Sequence, residues 1–173
     1  MSNERLLLAG LPEHHDKFKS YWWCHPKVTG YLTDFIPDNI RVTTVDPMPN
    51  SVSDNGDLTH ADYVTSLWDP EFQSEHKDVF DYVVLPDLNG PWYTAQTSTG
   101  STEIFVDLMK QAMNLVKPGG CGIFDKILNQ LEMKKYIESN EFAFTPFMLD
   151  IFEKKPGGHI AILLTKRILN SVR

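Results

Sequence analysis

The stretch "FDYVVLP" (residues 80–86) is apolar at nearly every position. A strand with one solvated face alternates apolar and polar side chains, so an unbroken apolar run reads as a strand covered on both faces. Such strands belong to mostly parallel sheets packed between helices. The chain around this run supplies the helices. His25 to Ile36 places Val28, Tyr31, Leu32, Phe35 and Ile36 at helical spacing. Pro26 sits near its start and Pro37 at its end, where proline is tolerated. Residues 102–117 put Ile104, Leu108, Ala112 and Leu115 on one stripe, and 127–139 read as a further helix with Asn140 as a left-handed cap.

Other strands follow the same logic. "IRVTTVD" (40–46) is β-branched, and "ADYVTSLW" (61–68) and "CGIFDK" (121–126) read as two more. "FMLDIFE" and "HIAILLTKR" are joined by "KKPGG", a Pro-Gly-rich hairpin turn. The sum is an α/β sandwich: a mostly parallel sheet closed by a C-terminal antiparallel hairpin. Ligands of such sheets bind outside the carboxyl ends of the strands, so the residues just after each strand carry the functional information. "PMPNSVSDNGDLTH" (47–60) and "LNGPWYTAQTSTGS" (88–101) read as long surface loops.

A length of 173 residues suits one domain with a real core. Cys24 and Cys121 make no disulfide framework, which favours a reducing compartment. No apolar run approaches the roughly 20 residues of a membrane span, and "RLLLAGL" lacks the flanks of a signal peptide. The net charge of −7 is uneven: residues 1–100 carry 6 Lys/Arg against 15 Asp/Glu, residues 101–173 carry 10 against 8. An acidic first part argues against wholesale wrapping of nucleic acid, though not against a local basic face.

The segment "LVKPGG" (115–120), placed between a helix and the strand "CGIFDK", resembles the class I S-adenosylmethionine-dependent methyltransferases. Proline cannot continue the helix and glycine supplies the positive φ of a tight reversal. The resemblance covers about residues 20–168, with 1–19 as an N-terminal extension to a single Rossmann-like methyltransferase domain. Asp46, at the end of "VTTVD", stands where the family has an acidic residue that accepts from the cofactor ribose hydroxyls; a turn-starting Asp before Pro47 is the ordinary alternative. Within the superfamily the chain looks similar to FtsJ-like and viral ribose 2′-O-methyltransferases, which use a Lys-Asp-Lys-Glu set. The resemblance implies Asp87 in "VVLPDLNGP" and Lys126 in "GIFDKIL" as the catalytic pair. A ribose hydroxyl is a poor nucleophile, and a lysine beside carboxylates can orient or deprotonate it. Lys17 and Lys19 are candidates for the first lysine, and His159 stands where the final glutamate is expected. "NGPWY" (89–93) faintly resembles the Asn-Pro-Pro-aromatic motif of amino-group methyltransferases, and a turn with aromatic packing is the alternative.

Counted back from "VTTVD", the family's glycine-rich cofactor loop falls on "YWWCHPKVTGYL", with Trp23, His25 and Lys27 at glycine positions. The cofactor-contacting residues are then Trp23, His25, Asp46 and Asp87, and Leu6–Leu8 form an extra strand or helix at the edge of the sheet. A second alignment makes "RLLLAG" the first strand, with Gly10 in the loop. His14, His15, Cys24 and His25 are competent zinc ligands chemically, but their spacing matches no compact zinc motif, and no metal site is assigned. Two functional classes follow. One is an enzyme that transfers methyl from S-adenosylmethionine, with RNA ribose as acceptor. The other is a degenerate methyltransferase fold kept as a binding or structural subunit of a larger assembly, a viral one included, with a protein partner. Either is expected in the cytoplasm, or in a viral particle or host cytoplasm, without a membrane anchor.

Overall fold

A computed structural model describes residues 3–9, 40–47, 51–52, 58–85, 102–124, 130–139, 147–153 and 160–168. Eight strands and three helices lie in these segments. In chain order they are β1 (Arg5–Ala9), β2 (Arg41–Val45), β3 (Ser51–Val52), β4 (Leu58–Thr59), α1 (Pro70–Glu75), β5 (Phe80–Leu85), α2 (Thr102–Met113), β6 (Val116–Phe124), α3 (Gln130–Ser139), β7 (Phe147–Glu153) and β8 (Ile160–Lys166). Six strands form one sheet in the order β2-β1-β5-β6-β8-β7. β2, β1, β5 and β6 are mutually parallel; β8 runs antiparallel to β6 and to β7. This is the mostly parallel sheet with a closing antiparallel pair that the sequence pattern calls for.

Both faces of the central strands are buried. Leu7, Val83, Phe124 and Leu164 belong to one apolar cluster, together with Val106, Met109 and Met113 of α2. Their chain neighbours Leu6, Leu8, Val84, Ile123 and Leu163 belong to a second. Adjacent residues of a strand point to opposite faces, so two clusters from consecutive residues mean a sheet covered on both sides. At roughly 1.5–3 kcal/mol per fully buried apolar side chain, these strands hold the fold more than any turn does. Among the described residues no helix is long and apolar enough to cross a membrane.

Several elements differ from the sequence reading. Leu6–Leu8, expected at an edge, form the middle of β1, which lies between β2 and β5. All three are essentially inaccessible to solvent, which an edge position would not require. "ADYVTSLW" is not a strand. Only Tyr63 bridges, to Val45, and the chain then turns into α1, capped by the Asp69 carboxylate, which accepts from Phe72 N at 3.1 Å. Part of the 47–60 loop is ordered as the two-stranded β3–β4 pair. The helix α2 stops at Met113, short of residue 117.

The stop is not made by the Pro-Gly-Gly segment, which lies inside β6. Val116 pairs with Phe80 and Cys121 with Tyr82, so residues 117–120 bulge opposite the single residue Asp81. Pro118 has no N–H to offer a ladder, which suits a bulge and not a regular pair. Gly119 takes φ +87°, and a Cβ on Gly120 would strike the Asp81 carbonyl oxygen. The reading of these glycines as backbone-driven therefore holds, but they bend a strand instead of reversing a helix. The helix expected over 25–36, the cap at Asn140 and the "KKPGG" turn lie outside the described residues.

Candidate functional site

The parallel strands end together. Ala9 is level with Val45, Leu8 with Val84, and Leu85 with Phe124. One sheet edge thus holds the carboxyl ends of β1, β2, β5 and β6. The connections reverse direction between β1 and β5: from β1 the chain builds β2 on one side, then returns to add β5 on the other. Such a switch point opens a crevice at the carboxyl ends of the two strands.

Asp46 sits at this edge, half-buried, immediately after β2. Its backbone is tied to the following segment. Asp46 N donates to Tyr63 O at 3.1 Å, and Tyr63 N donates to Thr44 O at 3.0 Å. Asp62 completes the join. Its Oδ2 accepts from Thr44 N at 2.8 Å and from Thr44 Oγ1 at 3.2 Å, and Asp62 N donates to Thr44 Oγ1 at 3.0 Å. The ring of Tyr63 packs edge-on against Phe72 and His76 of the α1 region, with centroids 5.3 and 4.8 Å away. Segment 62–63 is thereby fixed to both β2 and α1.

Asp62 and Thr44 carry no signal in the sequence as site residues. Their pairing spans 18 positions and depends on which edge of β2 is left open. Of the residues singled out from the sequence, Asp46 is the one the structure describes. Trp23, His25, Asp87 and Lys126 lie outside the described residues, as do Lys17, Lys19, His159 and the candidate zinc ligands His14, His15 and Cys24. The strand assignment nonetheless changes the reading of the cofactor loop. β1 ends at Ala9, so Gly10 and "LPEHH" follow the first strand directly, as in the second alignment. Among the described residues no group of three or more His, Cys, Asp or Glu is placed to hold a metal ion.

Two buried titratable groups, Tyr82 and Cys121, belong to the core. Burial pushes the Cys121 thiol up to about 12. Burial, followed by the charges of Glu4, Cys121 and Asp81, raises the Tyr82 phenol to about 12. Both stay protonated near neutral pH, which makes neither a ready nucleophile or base.

Compared by sequence, the chain matches no family model and no curated relative. Compared by structure, it is similar to methyltransferases. It covers 98% of its own length and 90% of the 16S rRNA (adenine(1408)-N(1))-methyltransferase from Catenulisporales acidiphilia, at TM-score 0.52 and 11% identity. Against a proposed rRNA methylase from Clostridium thermocellum it covers 96% and 88%, at TM-score 0.50 and 12% identity. Against the T. thermophilus 16S rRNA N2 G1207 methyltransferase, solved with AdoMet and guanosine, it covers 97% of its own length but spans only 36% of that chain, at TM-score 0.48 and 16% identity. The fold is therefore the Rossmann-like fold of class I methyltransferases. Identities this low establish the architecture alone.

Proposed function

We propose that this chain is an S-adenosylmethionine-dependent methyltransferase that acts on RNA, at a ribose 2′-hydroxyl. The observation that carries the reading is Asp46, a carboxylate fixed by its backbone at the end of β2, beside the switch point between β1 and β5. Two carboxylate oxygens match the two donors of a vicinal ribose diol, and the residue fits that part of S-adenosylmethionine. The end of β5 lies two strand spacings away, about 10 Å, a span within the reach of a nucleoside cofactor.

Bound at this edge, S-adenosylmethionine supplies an electrophilic methyl group. Asp87 and Lys126 follow β5 and β6 by two residues each, and those strands end in register at Leu85 and Phe124. In the proposed roles, Lys126 orients the acceptor hydroxyl and takes up its proton, and Asp87 helps hold the lysine and the cofactor. Trp23 and His25 enter the cofactor loop in the first alignment, where the first strand ends just before Tyr21. Since β1 ends at Ala9, the proposal rests on Asp46, Asp87 and Lys126. RNA as the acceptor is supported by the rRNA substrates in the names of the similar structures.

Calorimetric titration with S-adenosylmethionine and S-adenosylhomocysteine tests the cofactor. Micromolar binding is the expected result. Transfer of labelled methyl to RNA, with the methylated linkage resistant to alkali, tests the ribose acceptor. Alkali-labile methylated RNA would move the acceptor to a base. Absence of binding at millimolar ligand would sink the enzyme reading and favour a degenerate fold that serves as a subunit.

A further inference from the structure

We propose that Asp62 is a positioning residue for Asp46, a role that rests on the reading of Asp46 as the cofactor anchor. On its outer side β2 is joined to no other strand of the described sheet, and meets the chain again only at the bridge between Val45 and Tyr63. A full neighbouring strand would hold the end of β2 through a ladder. Here a side chain takes over. The Asp62 carboxylate receives the Thr44 amide, and the hydroxyl of Thr44 both donates to that carboxylate and accepts from the Asp62 amide. Thr44 is buried, at 5% exposure, and the Asp62 carboxylate is the acceptor its N–H uses, so removing Asp62 takes that fixed partner away.

The reciprocal Thr44–Asp62 ring, the Tyr63 N to Thr44 O bond and the Asp46 N to Tyr63 O bond are consecutive. Together they fix the peptide planes from Thr44 to Asp46, so the direction in which the chain leaves β2 is set by Asp62. Charge on the carboxylate shortens and strengthens such bonds relative to a neutral acceptor. A binding carboxylate needs its backbone held to a fraction of an ångström, and side chains that act through a neighbour supply that constraint. Asp62 is exposed while its partner Thr44 is buried, so replacing Asp62 leaves the apolar clusters intact.

The test is a titration of S-adenosylhomocysteine into the wild-type chain, Asp46→Ala, Asp62→Ala, Asp62→Asn and the double variant Asp46→Ala/Asp62→Ala, with thermal melts alongside. Asp62→Ala should weaken binding about tenfold. Asp62→Asn, which keeps an acceptor for the Thr44 amide, should recover to within about threefold of wild type. The double variant should bind no more weakly than Asp46→Ala, because a residue that acts through Asp46 has nothing left to position. Wild-type affinity in Asp62→Ala would overturn the proposal. Losses that add in the double variant would overturn it too, by giving Asp62 a separate route to the ligand. Should Asp62→Ala fail to fold, Thr44→Val removes the hydroxyl's two bonds at nearly constant shape. It should cost about threefold alone and nothing in the Asp46→Ala background. A wild-type chain that does not bind defeats the reading of Asp46 itself, and the positioning role falls with it; the two failures are separated by which protein loses affinity.

Discussion

The two ends of the parallel sheet use charge differently. At the strand-start end, charges are spent on the fold. The Asp81 carboxylate accepts from Arg5 N at 2.8 Å and lies 3.5 Å from Lys117 Nζ, and the Arg5 guanidinium sits 4.9 Å over the Phe80 ring. Lys166 Nζ donates to Asp78 at 2.7 Å and to the carbonyls of Val116 and Met113 at 2.9 and 3.2 Å, which ties the C-terminus of α2 to the start of β6. At the strand-end side, Asp46 follows β2 directly and is half-buried, and in the sequence Asp87 comes two residues after β5. Cation pairing at one end neutralises side chains that have only a structural task. In the proposed site, the acidic residues that follow the strands are kept for the cofactor and acceptor. Substitutions should accordingly divide into those that lower stability with ligand affinity unchanged and those that do the reverse.

The largest effect is expected at the strand-end side. Asp87→Ala should cut methyl transfer at least about a hundredfold, because it releases both the cofactor and Lys126, the group proposed to take up the proton, with the melting temperature nearly unchanged. Methylation that persists in this variant would remove Asp87 from the site. Next comes Gly120→Ala at the opposite end. The new methyl group must displace the Asp81 carbonyl or the Val116 side chain, for a cost of about 1–3 kcal/mol in denaturant unfolding. Cofactor affinity should not follow. Lys166→Met comes third. It unpairs Asp78, which is partly solvated, and leaves the Val116 and Met113 carbonyls without that donor. A loss of about 1–2 kcal/mol is expected, again without effect on binding.

The smallest effect concerns pH. The Cys121 thiol ionises near 9 when unfolded and is pushed up to about 12 in the fold. Above pH 9 the folded chain thus holds a proton that the unfolded chain releases. Stability from this group is fully present below pH 9 and is lost as pH rises toward 12; Tyr82, raised from 10 to about 12, acts in the same direction. Thermal melts between pH 8 and 10.5 should show a decline that is shallower in Cys121→Ala. An unchanged slope would place the alkaline transition elsewhere.

How far the sequence could be read depended on where each element's partners lie. β5 was legible because both of its faces are buried, and an unbroken apolar run of that length fits little else. β2, β7 and β8 carry enough β-branched and apolar residues to stand out locally. β1 also has its apolar run, but three leucines suit a strand or a helix equally, and nothing local distinguishes the middle of a sheet from its edge. "ADYVTSLW" misled for the opposite reason. Its composition suits a strand, yet the bonds of Asp62 and Tyr63 to β2 leave one bridge and no ladder. Pro118-Gly119-Gly120 suits a helix stop in sequence because proline and glycine announce irregular backbone without saying which irregularity; the bulge is set by Asp81, across the sheet. Asp46 stands out as a candidate from its place at a strand end, and Asp62 does not, since its bonds to Thr44 span 18 positions and form only once the chain is folded.

The central place of β1 has a consequence for how the chain acquires its structure. β1 is complete at Ala9, but its partner strand β5 begins at Phe80, and Arg5 bonds to Asp81 across 76 positions. At ribosomal rates of about 5–20 residues per second, the strand waits roughly 4–15 s for that neighbour. During synthesis three leucines destined for the interior stand beside an unfilled place in the sheet. Once the chain is released, closing so long a loop before the contact forms should make refolding slow for a domain of this size.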